Sequence, residues 1–215
     1  MCFAMIRFSN IPALILLAFV SQAQCQYGYS TNADGTLTIT NYTGSGGAVN
    51  IPTNINGRIV TGIGADAFYR NPKPTSVAIP ETITSLGVST FEFCTNMTSV
   101  FIPGSLTNID GYAFAGCSGL TNATITDGIP YIGDDMFNGC HLLSNVVIPP
   151  TVTSIGDYAF YGCGMSTITI LGNVTNFGDM SFVSCLRLTN ATFSIGVPYI
   201  ANDMFFDCAR IRFRN

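Results

Sequence analysis

The chain has 215 residues, 47% hydrophobic and only 9% charged, with 22 glycines, eight cysteines and no tryptophan; such apolar content favours collapse over a solvated, disordered state. Eight Lys and Arg against twelve Asp and Glu leave no basic surface to neutralise phosphates, so nucleic acid is not an expected partner. Between Lys73 and Arg187 the chain carries eight carboxylates and no cation, which argues against a strongly anionic ligand for the middle of the molecule.

Residues 1–26 have the form of an export signal. Arg7 supplies a positive n-region, Ile11 to Val20 an apolar run, and Ser21 and Ala23 the small residues before a cleavage site, so residues 1–23 are expected to be removed. The apolar run is half of the roughly 20 residues a bilayer span requires, and no stable membrane span is expected once the signal is gone. Cys25 raises the question of lipidation, but Gln22-Ala23-Gln24 lacks the leucine and the small residue that lipoprotein processing wants. Residues 24–48 are expected to form an N-terminal β-hairpin cap: alternation over Thr36–Thr40 follows the turn signal Asn32-Ala33-Asp34-Gly35.

From residue 49 to 215 the chain repeats itself. Phe68, Phe91, Phe114, Phe137, Phe160, Phe182 and Phe205 recur at spacings of 23 residues, once 22. Three residues after all but the first come Cys94, Cys117, Cys140, Cys163, Cys185 and Cys208, with Asn71 at the first. Five residues before each Phe stand Ile63, Leu86, Ile109, Ile132, Ile155, Phe177 and Ile200. Pairs such as Val77 and Ile79, or Val100 and Ile102, alternate as short strands with one buried face. Pro80, Pro103 and Pro149 stop three of them, because proline cannot donate to a ladder. The segment from Val49 to Val77 holds about five extra residues around Asn56-Gly57, which a small hairpin would absorb. Residues 121–143 match 189–211 at 12 of 23 positions, as when a block of three units is copied. A solenoid tolerates such copying because each coil contacts only its neighbours.

The unit, best preserved as NVVIPPTVTSIGDYAFYGC from Asn145 to Cys163, resembles the BspA-like leucine-rich repeat family over about Val49 to Ile211. The third and sixth strands depart from it in lacking the proline. The expected fold is a mainly β or α/β right-handed leucine-rich-repeat solenoid of about seven coils, each with a short parallel strand and a loop or single helical turn carrying the A-F pair. The resemblance implies an exported or surface protein engaged in adhesion or recognition. At the C-terminus Arg210, Arg212 and Arg214 alternate around Ile211 and Phe213, either protecting an open sheet edge or marking a truncated copy of a longer array.

Each chemical candidate has a structural alternative. The six repeat cysteines are expected to form a buried thiol ladder, with inter-coil disulfides as the alternative; stacked side chains stand about 4.8 Å apart and a disulfide needs Cβ atoms near 3.8 Å. No C-x-x-C pair begins a zinc site. His141, the single histidine, follows Cys140, but adjacent residues of an extended segment point to opposite sides, against a catalytic pair. Asp134, Asp157 and Asp179, with Asp66 and Asp203 nearby in the repeat, suit capping of a short helical turn better than a calcium column. Asn41, Asn96, Asn122, Asn173 and Asn190 begin N-x-T sequons that matter only if the host glycosylates.

No catalytic residue, cofactor or metal is therefore expected. The candidate ligand face is the outward column of the strand ladder: Ala78, Phe101, Thr124, Val147, Thr169 and Thr192, with Phe101 and Val147 apolar where solvent-facing polar groups belong. The expected partner is an extracellular protein or glycan, and the expected location is secreted or cell-surface. A structural spacer that associates end to end is the alternative.

Overall fold

The computed structural model describes residues 26–144, 146–171, 174–193, 203–208 and 211–214. The signal segment, Cys25, the Asn173 sequon, Ile200 and Arg210 lie outside them. In chain order, β1 (Tyr27–Thr31) and β2 (Leu37–Tyr42) form the antiparallel N-terminal hairpin, and β3 (Gly47–Asn50) is the first strand of the long ladder. A second hairpin, β4 (Asn54–Ile55) with the start of β5 (Arg58–Ile63), turns through Asn56 and Gly57, both at positive φ as a tight two-residue connection requires. Long and short strands then alternate: β6 (Pro74–Ala78), β7 (Ser85–Leu86), β8 (Ser99–Ile102), β9 (Asn108–Ile109), β10 (Asn122–Ile125), β11 (Tyr131–Ile132), β12 (Val147–Ile148), β13 (Ser154–Ile155), β14 (Thr167–Ile170), β15 (Asn176–Phe177), β16 (Asn190–Phe193) and β17 (Arg212–Arg214).

The result is a parallel β-solenoid of about seven three-sided coils. One side is the long ladder, a second is a ladder of two-residue strands carrying the apolar residue before the I-G glycine, and the third is a turn centred on the repeat Phe. The second ladder does not follow from sequence alternation, because two residues are too few to show a period. The hairpin is continuous with it: β2 pairs in parallel with β5, so the cap also supplies the first rung.

The turn side contains no helix among the described residues, where a single helical turn was one of two expectations. φ lies between 51° and 62° at Asp66, Ser89, Tyr112, Asp135, Tyr158 and Met180, two residues before the first six repeat phenylalanines. It lies between 52° and 72° at Arg70, Phe93, Gly116, Gly139, Gly162, Ser184 and Asp207, two residues after. A right-handed helix needs negative φ throughout, so the chain turns its amides toward the next coil instead. Phe91, for example, donates its N–H to the Ala113 carbonyl at 2.8 Å, and Phe93 to that of Ala115 at 2.8 Å.

The three sides enclose one continuous core. Phe68, Phe91, Phe114, Phe137, Phe160 and Phe182 are at most 1% exposed, and with the half-buried Phe205 they stack at centroid steps of 4.7 to 5.6 Å. Tyr42 of the hairpin continues the column, 4.8 Å from Phe68, and the buried Tyr27 ring packs on it at 5.3 Å at the N-terminal end. Each corner of the coil carries a polar side chain tied to the preceding coil. Hydroxyls of Thr98 and Thr121 donate to the carbonyls of Thr75 and Thr98, both at 3.0 Å, at the start of the long strand. Thr84, Thr107, Thr153 and Thr175 do the same before the short strand, at 3.1 to 3.4 Å.

Both ladders are interrupted at one level. The long strands divide into β3-β6-β8-β10 and β12-β14-β16-β17, and the short ones between β9 and β11. For the short ladder the cause lies in the threonine column, where Pro130 takes the place of Thr107 and Thr153; at the start of the long strand the Ser144 N–H still reaches the Thr121 carbonyl at 3.2 Å. Thr107 and Thr153 each donate a backbone N–H to the coil before, at 3.0 and 2.9 Å, and proline has none to give. The Tyr131 hydroxyl instead accepts from the Ile109 N–H at 2.7 Å. Only the turn side crosses this seam intact, and there the step from Phe114 to Phe137 is the widest of the column at 5.6 Å.

Candidate recognition surface

Strand pairing sets Ala78 beside Phe101 and Phe101 beside Thr124 in one sheet, and Val147 beside Thr169 and Thr169 beside Thr192 in the other. The column is thus two blocks of three, divided by the seam, rather than the uninterrupted column expected. Phe101 is 40% and Val147 53% exposed, Thr124 is exposed, and Thr169 and Thr192 are half-buried. Small neighbours make Phe101 prominent: Ser76, Ala78, Ser99 and Thr124 line with it an open groove of 290 Å³. In β17 the register carries Arg212 opposite Asn190 and Arg214 opposite Thr192.

The cysteines lie in the core. Cys94, Cys117, Cys140, Cys163 and Cys185 are buried, Cys208 is half-buried, and all six sulfurs are free thiols. Each donates to the carbonyl of the Phe one coil earlier: Cys94 to Phe68 at 3.1 Å, Cys117 to Phe91 at 3.1 Å, Cys140 to Phe114 at 3.2 Å. Cys163 bonds Phe137 at 3.2 Å, Cys185 bonds Phe160 at 3.1 Å and Cys208 bonds Phe182 at 3.0 Å. Asn71, the apparent exception, sends its side-chain N–H to the Tyr42 carbonyl at 3.4 Å, where Tyr42 stands in for the missing Phe. The position therefore asks for a small side chain with one donor. Burial pushes the thiols of Cys94 and Cys140 up to about 12, and those of Cys117 and Cys163 well up too.

Cys140 and His141 are engaged separately. The His141 Nδ1 lies 2.9 Å from the Gly162 carbonyl, which can only accept, so Nδ1 carries the proton and Nε2 is left as an acceptor. The carboxylates satisfy amides, but of the next coil and not of their own turn. Asp134 accepts from the Asp157 N–H at 3.0 Å, and Asp157 from the Asp179 N–H at 2.7 Å. No three His, Cys, Asp or Glu side chains come together as a metal site among the described residues.

The turn side presents what the strand pattern did not suggest. Tyr69, Phe93, Tyr112, Tyr158 and Tyr161 are all more than a third exposed. They occupy positions next to the repeat Phe or two residues from it, and could have been found by aligning those columns as well as the buried ones. A groove of 490 Å³ runs between Phe93 and His141 across the seam.

The sequence profile of the BspA type leucine rich repeat region, in six copies, matches residues 46–143 and 109–215. Among solved structures the chain is similar to a leucine rich cell surface protein from Faecalibacterium prausnitzii, 32% identical over 78% of this chain and 53% of that one, with a TM-score of 0.58. The chain therefore spans about half the length of that protein. It is also similar to a leucine rich repeat protein of T. pallidum, 28% identical over 76% of this chain and 88% of that one, with a TM-score of 0.68. No curated protein matches the sequence.

Proposed function

Because the chain belongs to the BspA-type leucine-rich repeat family, we propose that it is an exported or cell-surface protein without catalytic activity. It recognises an extracellular protein or glycan through the strand face. The observation that carries this is the exposure of Phe101 and Val147 among small and hydroxyl-bearing residues on a surface held rigid by coil-to-coil pairing. Apolar side chains on a fixed sheet cost little entropy to bury, and such residues are where binding energy concentrates. The similar Faecalibacterium prausnitzii protein is described as a cell surface protein, and no helix among the described residues is long and apolar enough to cross a membrane. Non-catalytic action is supported by the separate engagement of Cys140 and His141.

The test is binding of residues 24–215 to immobilised matrix proteins, glycans and whole cells, with Phe101→Asp and Val147→Asp alongside. A saturable interaction weakened about tenfold or more by either change is the expected result. Binding that both variants retain, or none by protein shown to be folded, overturns the proposal.

A further inference from the structure

The groove on the turn side offers a second surface whose chemistry is more specific than that of the strand face. Phe93 is 38% and Tyr112 43% exposed, and they form its aromatic part; Glu92, Asn138 and His141 supply polar groups. The space exists because residues two after the repeat Phe are glycines here. Phe93 leans over Gly116, where a Cβ would meet its ring, and Gly139 leaves the next level open.

Three of the polar groups are acceptors, beside the hydroxyls of Thr95 and Ser118, which can donate as well as accept. Asp135 receives the Asn138 side-chain N–H at 2.7 Å, which leaves the Asn138 oxygen free to accept. In the neutral imidazole His141 has its proton on Nδ1, toward Gly162, so its Nε2 is an acceptor. Glu92, Asp134 and Asp135 place negative charge around Tyr112, and no Lys or Arg occurs from residue 74 to 186. Aromatic faces attract cations through the ring quadrupole. The chain itself uses this strip so: the Arg70 guanidinium sits 5.1 Å from the Phe93 centroid and 5.2 Å from that of Tyr69.

From this geometry we infer that the groove between Phe93 and His141 binds a guanidinium or ammonium side chain of a basic polypeptide segment. The cation stacks on Tyr112, beside the Phe93 ring that Arg70 already engages, and its N–H groups meet Glu92, the Asn138 oxygen and the His141 Nε2. An anionic or purely apolar occupant would leave these acceptors and charges uncompensated. The site is separate from the strand face, and its success or failure does not depend on the reading given for that face.

His141 is the single histidine, so its ring resonances report on this groove alone. The probe is an end-blocked hexapeptide alternating glycine and arginine, titrated into untagged protein. The control replaces arginine by citrulline, the same shape without the charge. The arginine peptide is expected to shift the His141 resonances saturably, and the citrulline peptide to bind at least about fivefold more weakly. Glu92→Gln and Tyr112→Asn, the latter chosen because asparagine tolerates positive φ, should each weaken the arginine peptide to a similar degree. Phe101→Asp should leave it unchanged. No saturable shift, equal affinity for citrulline, full binding by both groove variants, or tighter binding of a neutral oligosaccharide at His141 overturns the inference.

Discussion

A thiol at the cysteine position reconciles two demands that few side chains meet together. It is small enough to lie beside the stacked phenylalanines, and it donates to the Phe carbonyl one coil back. Asn71 meets the same demand at the N-terminal end, where the pocket is only half-buried. The cost appears at high pH. Cys94 and Cys140 titrate near 12 in the folded chain against an ordinary 9.0, and Cys117 and Cys163 are also displaced upward by burial. The folded state thus holds protons that the unfolded chain releases; the stability is fully present below about pH 9 and is lost as pH rises toward 12. Each thiol contributes a slope of about 1.4 kcal/mol per pH unit in that window. Urea unfolding followed from pH 7 to 11 should show constant stability to about pH 8.5 and a steep fall beyond it. Cys140→Ala should make that fall shallower, while a flat profile would show that the thiols ionise without opening the core.

The turn side is built by backbone that no local propensity favours. Left-handed φ costs an ordinary residue about 1–2 kcal/mol, yet Tyr112, Asp135 and Tyr158 adopt it because their amides gain partners on the next coil. The glycine of the I-G pair follows from the same stacking. A Cβ at Gly156 would run into the Asp134 backbone nitrogen and into its carboxylate, which accepts from the Asp157 N–H. Gly156→Ala should cost about 1–3 kcal/mol through this overpacking. Asp134→Ala should cost about 0.5–1 kcal/mol, since its hydrogen bond is exposed. In the double variant the clash with the carboxylate is gone, so the two effects should sum to less than their separate values in thermal unfolding. Strict additivity would sink the link between them.

At the scale of the molecule, a seven-coil stack is a series of interfaces, and its weakest interface sets how it opens. Pro130 identifies that interface, because the missing N–H separates β9 from β11 at the level where β10 and β12 also part. Hydrogen exchange should therefore be faster in residues 108–110 and 131–133 than in the corresponding residues 85–87 and 154–156. Pro130→Thr should restore a bond of about 1 kcal/mol and reduce the difference, although part of the gain is offset by the greater freedom of the unfolded chain. Uniform protection along all four segments would mean that the turn side alone couples the two halves.

How much of this could be read from the residues depends on the distance over which each feature is encoded. The 23-residue recurrence of Phe, Cys and the alternating apolar pairs determined the solenoid, the hairpins at both Asn32–Gly35 and Asn56-Gly57, and the outward direction of Phe101 and Val147. Burial of one face repeats with the chain and so leaves a period. The short second ladder, the left-handed turns, the threonine ties and the acidic groove needed the tertiary structure. Each arises from a bond or an opening between residues of adjacent coils, 21 or more positions apart, and such a partner is chosen by how coils stack. Pro130 and Tyr131 show this well: a proline and the tyrosine that begins a two-residue strand carry no local signal of a seam until the carbonyl of the coil before is found without its donor.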